Sequence, residues 1–210
     1  IANLNRRNEE CLLIEGSSGK LEIAVNEPSA ASVGCALIAH PHPLYGGTFE
    51  NKVVQTLAKA FCALGLTAVR FNFRGVGNSD GVYDGGAGEI EDFETVLSYA
   101  EKRFQPNHLI FAGFSFGTYV VARAAQDKSP HQVVLIAPAV GKFEVEPVPE
   151  DSLVLHGEED DVVLLSDVLN WARPQHIPVT VFPGAGHFFH GDLIRLQNVV
   201  INHCRQKLSS

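Results

Sequence analysis

Leu109-Ile110-Phe111-Ala112-Gly113-Phe114-Ser115-Phe116-Gly117 decides how this chain is read. The apolar run has the character of a buried parallel strand, and the Gly-x-Ser-x-Gly that of a sharp turn into a helix. A turn that lifts one serine above the end of a sheet imposes a strained backbone at that serine. The residues two before and two after must let strand and helix pass closely, and a Cβ at either would clash, so glycine fits at Gly113 and Gly117. Thr118 to Ala125 reads as a helix whose N-terminus points at Ser115. Free N–H groups and a partial positive charge at that end suit a reaction that develops an oxyanion. In a chain with 19 glycines the pattern can arise by chance; its strand-before, helix-after setting makes it informative.

Outward from this stretch the same alternation repeats. Upstream, Cys11 to Ile14 and Leu21 to Val25 flank the turn signal Gly16-Ser17-Ser18-Gly19, which predicts an antiparallel hairpin at a sheet edge. Val33 to Ala39 is a continuous apolar run, as in a strand covered on both faces. It exits through His40-Pro41-His42-Pro43-Leu44-Tyr45-Gly46-Gly47, and a helix follows over 48–64, stopped by Gly65. Leu66 to Phe73 is the next strand, followed by the loop 74–81 and a helix over 89–104. Downstream come strands at 133–137, 153–156 and 179–182, with helices over 162–172 and 193–207. The expected fold is α/β: a mostly parallel, doubly wound sheet with helices on both faces, an antiparallel N-terminal edge hairpin and no cap. No repeat, low-complexity segment or linker divides the chain, so residues 1–210 read as one domain. Ligands of such sheets sit beyond the carboxyl ends of the strands, and every loop of interest leaves a strand at that end.

A serine hydroxyl is a weak nucleophile near neutral pH. It needs a base within hydrogen-bond reach, and the base needs a carboxylate to fix its tautomer. Gly157-Glu158-Glu159-Asp160-Asp161 follows one strand, and Pro183-Gly184-Ala185-Gly186-His187 follows another. The order serine, acid, histidine is the one that accompanies a Gly-x-Ser-x-Gly elbow. Among the four acids, Asp161 precedes an apolar run and reads as a helix N-cap. Asp160 is then expected to face the rim. His187 follows mobile glycines close to the strand end and is preferred to His190. The oxyanion needs two N–H donors. One is Phe116, after the nucleophile; the other belongs to the His40 loop, where Pro41 and Pro43 have none and His42 and Leu44 remain.

Competing chemistries fare worse. His40-x-His42 is interleaved with prolines and lacks further ligands for zinc. Gly75-Val76-Gly77-Asn78-Ser79-Asp80 begins like a dinucleotide fingerprint, but Asp80 replaces the third glycine and no helix opens there. No Gly-Lys-Ser/Thr phosphate loop is present, so no cofactor is expected. Arg74 reads as a structural tie to Glu89 or Asp92. The net charge of −8 argues against nucleic-acid or anionic-membrane partners. Arg6-Arg7 reads as a solvated pair. No run approaches the ~20 apolar residues of a membrane span. The four dispersed cysteines read as buried free thiols, in keeping with a reducing cytoplasm. The chain opens at Ile1 and has no methionine, so a true start or trimmed leader lies open.

Taken together, the stretches 40–47, 70–79, 113–117, 156–160 and 184–189 resemble the α/β-hydrolase superfamily. More narrowly they are similar to the small bacterial serine hydrolases related to dienelactone hydrolases and prolyl-oligopeptidase-type domains. The likeness spans about residues 20 to 205. It implies Ser115 as nucleophile, Asp160 as acid and His187 as base. Dienelactone hydrolases use a cysteine nucleophile, so Ser115 departs from that substrate. Many relatives carry a helical lid before the acid strand; here only Pro138 to Asp151 fill the interval, too few for a folded cap. An open, shallow site follows, suited to small acyl groups or to an acyl group on a large carrier. Tyr45, Phe114, Phe116, Phe188 and Phe189 are the expected lining. The activity implied is hydrolysis of a small-molecule carboxylic ester. A thioesterase or small peptidase would use the same parts, and a binding scaffold on this fold is the alternative of another class.

Overall fold

The computed structural model describes residues 8–209, so Arg6-Arg7 lies outside the described residues. Apolar runs too short for helices become strands of one sheet. These are β1 (Glu9–Gly16), β2 (Gly19–Asn26), β3 (Cys35–Ala39), β4 (Thr67–Phe71), β5 (Leu109–Phe114), β6 (Gln132–Ile136), β7 (Leu153–Gly157) and β8 (Val179–Phe182). The sheet order is β1-β2-β4-β3-β5-β6-β7-β8. The hairpin closes with Gly16 opposite Gly19, and β2 joins β4 antiparallel. From β4 to β8 every pairing is parallel.

Helices α1 (Lys52–Ala63) and α5 (Leu193–Leu208) cover one face; α2 (Ala87–Phe104), α3 (Phe116–Lys128) and α4 (Leu165–Ala172) cover the other. The side-chain period of two feeds both cores. On β3, Cys35, Leu37 and Ala39 join the α2–α3 side, while Ala36 and Ile38 join the α1–α5 side. α1 begins at Asn51, whose side chain accepts from the Val53 and Val54 amides, a few residues later than the apolar spacing indicates. α4 starts at Leu165 rather than 162, with Leu164 as N-cap. Asp161 is therefore not a helix cap; it is exposed on the preceding turn.

The chain leaves β3 for β4 on one side and returns as β5 on the other. This reversal opens a crevice between the loops after β3 and β5, which is where a site is expected on such sheets. The rim is braced by Arg74, just past β4. Its backbone N–H and its guanidinium both reach the fully buried Asp92 carboxylate on α2, at 2.8 and 2.9 Å. The guanidinium also donates to Ser17 Oγ of the hairpin turn at 3.1 Å. Glu89 serves elsewhere, accepting the Asp84 and Gly86 amides ahead of α2. Replacing Asp92 by alanine leaves the Arg74 guanidinium with Ser17 and the exposed Glu91 and Asp84, so a denaturant titration is expected to show a loss of about 1–3 kcal/mol. A loss below about 1 kcal/mol would mean that Glu91 takes over the pairing.

All four cysteines are free thiols. Cys35 and Cys204 are buried and Cys62 is half-buried, but Cys11 is exposed on the outer face of the hairpin, contrary to the expectation of four buried thiols. Among the described residues no helix is long and apolar enough to cross a membrane.

Candidate active site

β5 delivers Ser115 to the crevice with φ 53° and ψ −120°, a left-handed conformation that L side chains rarely adopt. The strain is held from both sides. Ser115 N–H donates to the Ile136 carbonyl at 3.0 Å, and its own carbonyl accepts from Thr118 N and Oγ1. A Cβ on Gly113 would lie 2.6 Å from the Gly117 carbonyl carbon, so the crossing of strand and helix admits no side chain there.

The loops after β7 and β8 meet this serine. His187 Nε2 lies 3.0 Å from Ser115 Oγ, and His187 Nδ1 lies 2.7 Å from Asp160 Oδ2. All three side chains are buried. The His187 ring is fixed between Phe114, at 5.2 Å, and Phe188, packed edge-on at 5.0 Å. The two loops are laced together, Glu158 N–H donating to the Phe182 carbonyl and Glu159 N–H to that of Ala185. Glu158 also accepts from Gly184 N–H. Asp160 Oδ1 accepts from the Val162 and Val163 amides at 2.9 and 2.8 Å. Burial by itself would raise the Asp160 carboxyl, but the His187 hydrogen bond and these two amides outweigh it and hold the group below the ordinary carboxylate range. His187 Nδ1 thus faces an anion, which fixes its proton there and leaves Nε2 free to accept from Ser115.

Phe116 opens α3, so its N–H has no partner within the helix. The two loop candidates part company. Leu44 N–H is taken up by His42 Nδ1 at 3.1 Å and its side chain is exposed, so Leu44 is withdrawn as an oxyanion donor. His42 N–H makes no hydrogen bond among the described residues. Burial lowers the His42 imidazole, leaving it neutral with Nδ1 as the acceptor. His40 is structural: Nδ1 faces the Pro41 carbonyl at 2.6 Å and Nε2 accepts from Phe73 N–H, while burial brings its pKa to about 4.

A cavity of about 530 Å³ opens over Ser115 and His187. Tyr45, Phe116 and Phe188 line it as expected, and Tyr45 and Phe188 stand exposed at its mouth. Phe114 and Phe189 do not line it. Phe114 is fully buried behind the His187 ring, and Phe189 packs on Phe182 in the core. The segment between β6 and β7 supplies three lining residues outside the expected set, Ala139, Lys142 and Phe143. The Phe143 ring centre lies 5.1 Å from those of both Phe116, which it meets edge-on, and Tyr119. Where a lid would stand, the chain instead lays one aromatic ring against the wall.

Comparison with known proteins agrees with this fold. The sequence model of a family described as serine aminopeptidase S33 matches residues 46–150. A lidless α/β serine hydrolase from Xanthomonas campestris is 35% identical, with a TM-score of 0.92 over 97% of this chain and 96% of that one. An α/β serine hydrolase homologue from Coxiella burnetii is 41% identical, with a TM-score of 0.83 over 92% and 96%. An uncharacterised protein of Rickettsia prowazekii is 31% identical over 85% of this chain and 81% of its own.

Proposed function

The chain belongs to the lidless α/β serine hydrolases, and from that premise we propose that it cleaves small carboxylic esters through an acyl-enzyme intermediate. Ser115 Oγ attacks the carbonyl carbon as His187 Nε2 takes its proton. Asp160 stabilises the imidazolium that forms and keeps the ring in place. The Phe116 and His42 amides receive the oxyanion. As the tetrahedral adduct collapses, His187 returns the proton to the departing alcohol. Water, deprotonated by the same imidazole, then frees the acid. The observation that carries this reading is the unbroken buried relay from Ser115 through His187 to Asp160, with links of 3.0 and 2.7 Å.

The family description that matches names an aminopeptidase, which makes peptides the second reading. An aminopeptidase must hold a free α-ammonium, which calls for a carboxylate near the scissile bond. Among the described residues the cavity is lined by Lys142 and by no Asp or Glu. A like charge at the mouth repels such a substrate, so esters are favoured.

A series of p-nitrophenyl esters set against aminoacyl anilides tests the reading. Efficiency is expected to rise by about 0.8 kcal/mol per methylene while the cavity can bury the chain, and to stop rising at medium length. Anilides with a free amine are expected to be poor substrates. Efficiency still climbing at dodecanoate, or anilides exceeding esters, would overturn the assignment. A fluorophosphonate probe separates the enzyme from a scaffold, because only an activated serine at 115 acquires the label.

A further inference from the structure

Behind Asp160 lies a second imidazole that the reaction as described leaves unused. His156 sits on β7 and is fully buried. Its Nε2 lies 2.8 Å from the Val163 carbonyl and 3.5 Å from Asp160 Oδ2. A carbonyl only accepts, so Nε2 carries the proton. Nδ1 is buried with no hydrogen-bond partner among the described residues.

We propose that His156 is a positioning residue, pinning through the Val163 carbonyl the turn whose amides hold Asp160. This rests on the hydrolase reading above. Val163 is gripped at both ends: its N–H donates to Asp160 Oδ1, and its carbonyl accepts from His156. Val163 also lines the cavity. One clip thus sets the carboxylate and a wall of the site together. The same ring nitrogen lies 3.5 Å from the oxygen that receives His187. The ionisable groups near His156 are Asp160 on its own loop and His187 across from it, and burial keeps the imidazole neutral between them. A bare buried acceptor costs about 1–3 kcal/mol. Packing alone would favour a phenyl ring at this position, so the imidazole is held there by what its N–H does.

The variants His156→Phe and His156→Gln test this in the full chain. Phenylalanine keeps the ring and removes both nitrogens. Its lost Val163 bond is offset by the lost unpaired Nδ1, so the melting temperature is expected to move little. Turnover of p-nitrophenyl butyrate is expected to fall about ten- to a hundred-fold, with KM nearly unchanged, because a base held loosely reaches Ser115 less often. Glutamine returns an N–H donor and is expected to recover most of the loss. The low-field proton resonance between His187 and Asp160 should persist in the Gln variant and vanish or move upfield in the Phe variant.

A folded Phe variant with wild-type turnover would overturn the proposal, as would a loss carried by KM alone. If the Phe variant does not fold, the Gln variant decides: resonance retained supports the clip, resonance lost refutes it. An unlabelled Ser115 in the wild type would sink the hydrolase reading instead. The resonance would still report whether His156 holds Asp160.

Discussion

Ser115→Ala is expected to lower ester turnover by about 10⁶. It should abolish fluorophosphonate labelling and leave the fold intact. Removing Oγ deletes only the contact with His187, since the elbow is held by backbone bonds to Ile136 and Thr118. Residual rate over water would come from the Phe116 and His42 amides. Ser115→Gly is equally inactive but differs in stability. The backbone at φ 53° and ψ −120° costs about 1–3 kcal/mol for any residue with a Cβ. Glycine relieves that and gives back about 0.5–1 kcal/mol in unfolded-chain entropy. Denaturant titration should therefore find Ser115→Gly about 1 kcal/mol more stable than Ser115→Ala. A glycine variant less stable than the alanine variant by about 0.5–1 kcal/mol, the entropy cost alone, would mean the elbow carries no strain. Turnover surviving in the alanine variant would remove Ser115 as nucleophile.

The parts of the fold that were legible are those where chemistry and geometry share a period. The β3 and β5 runs are apolar throughout, and β7 is apolar but for His156, because helices cover both faces, and each ends in a loop of polar and conformationally special residues. Ser115, Asp160 and His187 all follow strands at that end, so topology alone gathers them. Phe114 departs from the expected lining although its face is legible in the alternation. It shares the side of β5 that carries Ile110 and Ala112, which is the α1–α5 core. Cys11 falls on the outer face of an edge hairpin, where alternation and not hydrophobicity decides exposure. Leu44 illustrates a harder limit, since its amide is lost to a neighbouring ring whose tautomer no pattern encodes. Lys142 and Phe143 lie in a segment without periodicity, which contacts with Phe116, Tyr119 and Thr118 bring to the site. A histidine inside an apolar strand looks like core, and only its contact with the Val163 carbonyl sets His156 apart.

Asp160→Asn is the sharper test of how the site works, because one isosteric change is expected to stop the reaction through hydrogen-bond direction alone. Oδ1 of the native residue accepts two amides, from Val162 and Val163. In the variant the carboxamide oxygen must take that place, since an NH₂ there would face two N–H donors. The NH₂ group is then turned toward His187 Nδ1, with the His156 N–H close by. Nδ1 must now accept, so its proton moves to Nε2, and Nε2 can no longer take the proton of Ser115. A fall of about 10⁴ in turnover is expected, with little change in KM. Stability gives an independent readout. The native carboxyl is held below its ordinary value of about 3.9, so its contribution is fully present above that pH and lost as pH falls through the lower folded value. The stability gap between wild type and variant should therefore be widest near neutrality and narrow on acidification below about pH 4. A gap that widens in acid would show that Asp160 is not held as the anion. Turnover within ten-fold of wild type would show that the His187 tautomer is set by something other than this carboxylate.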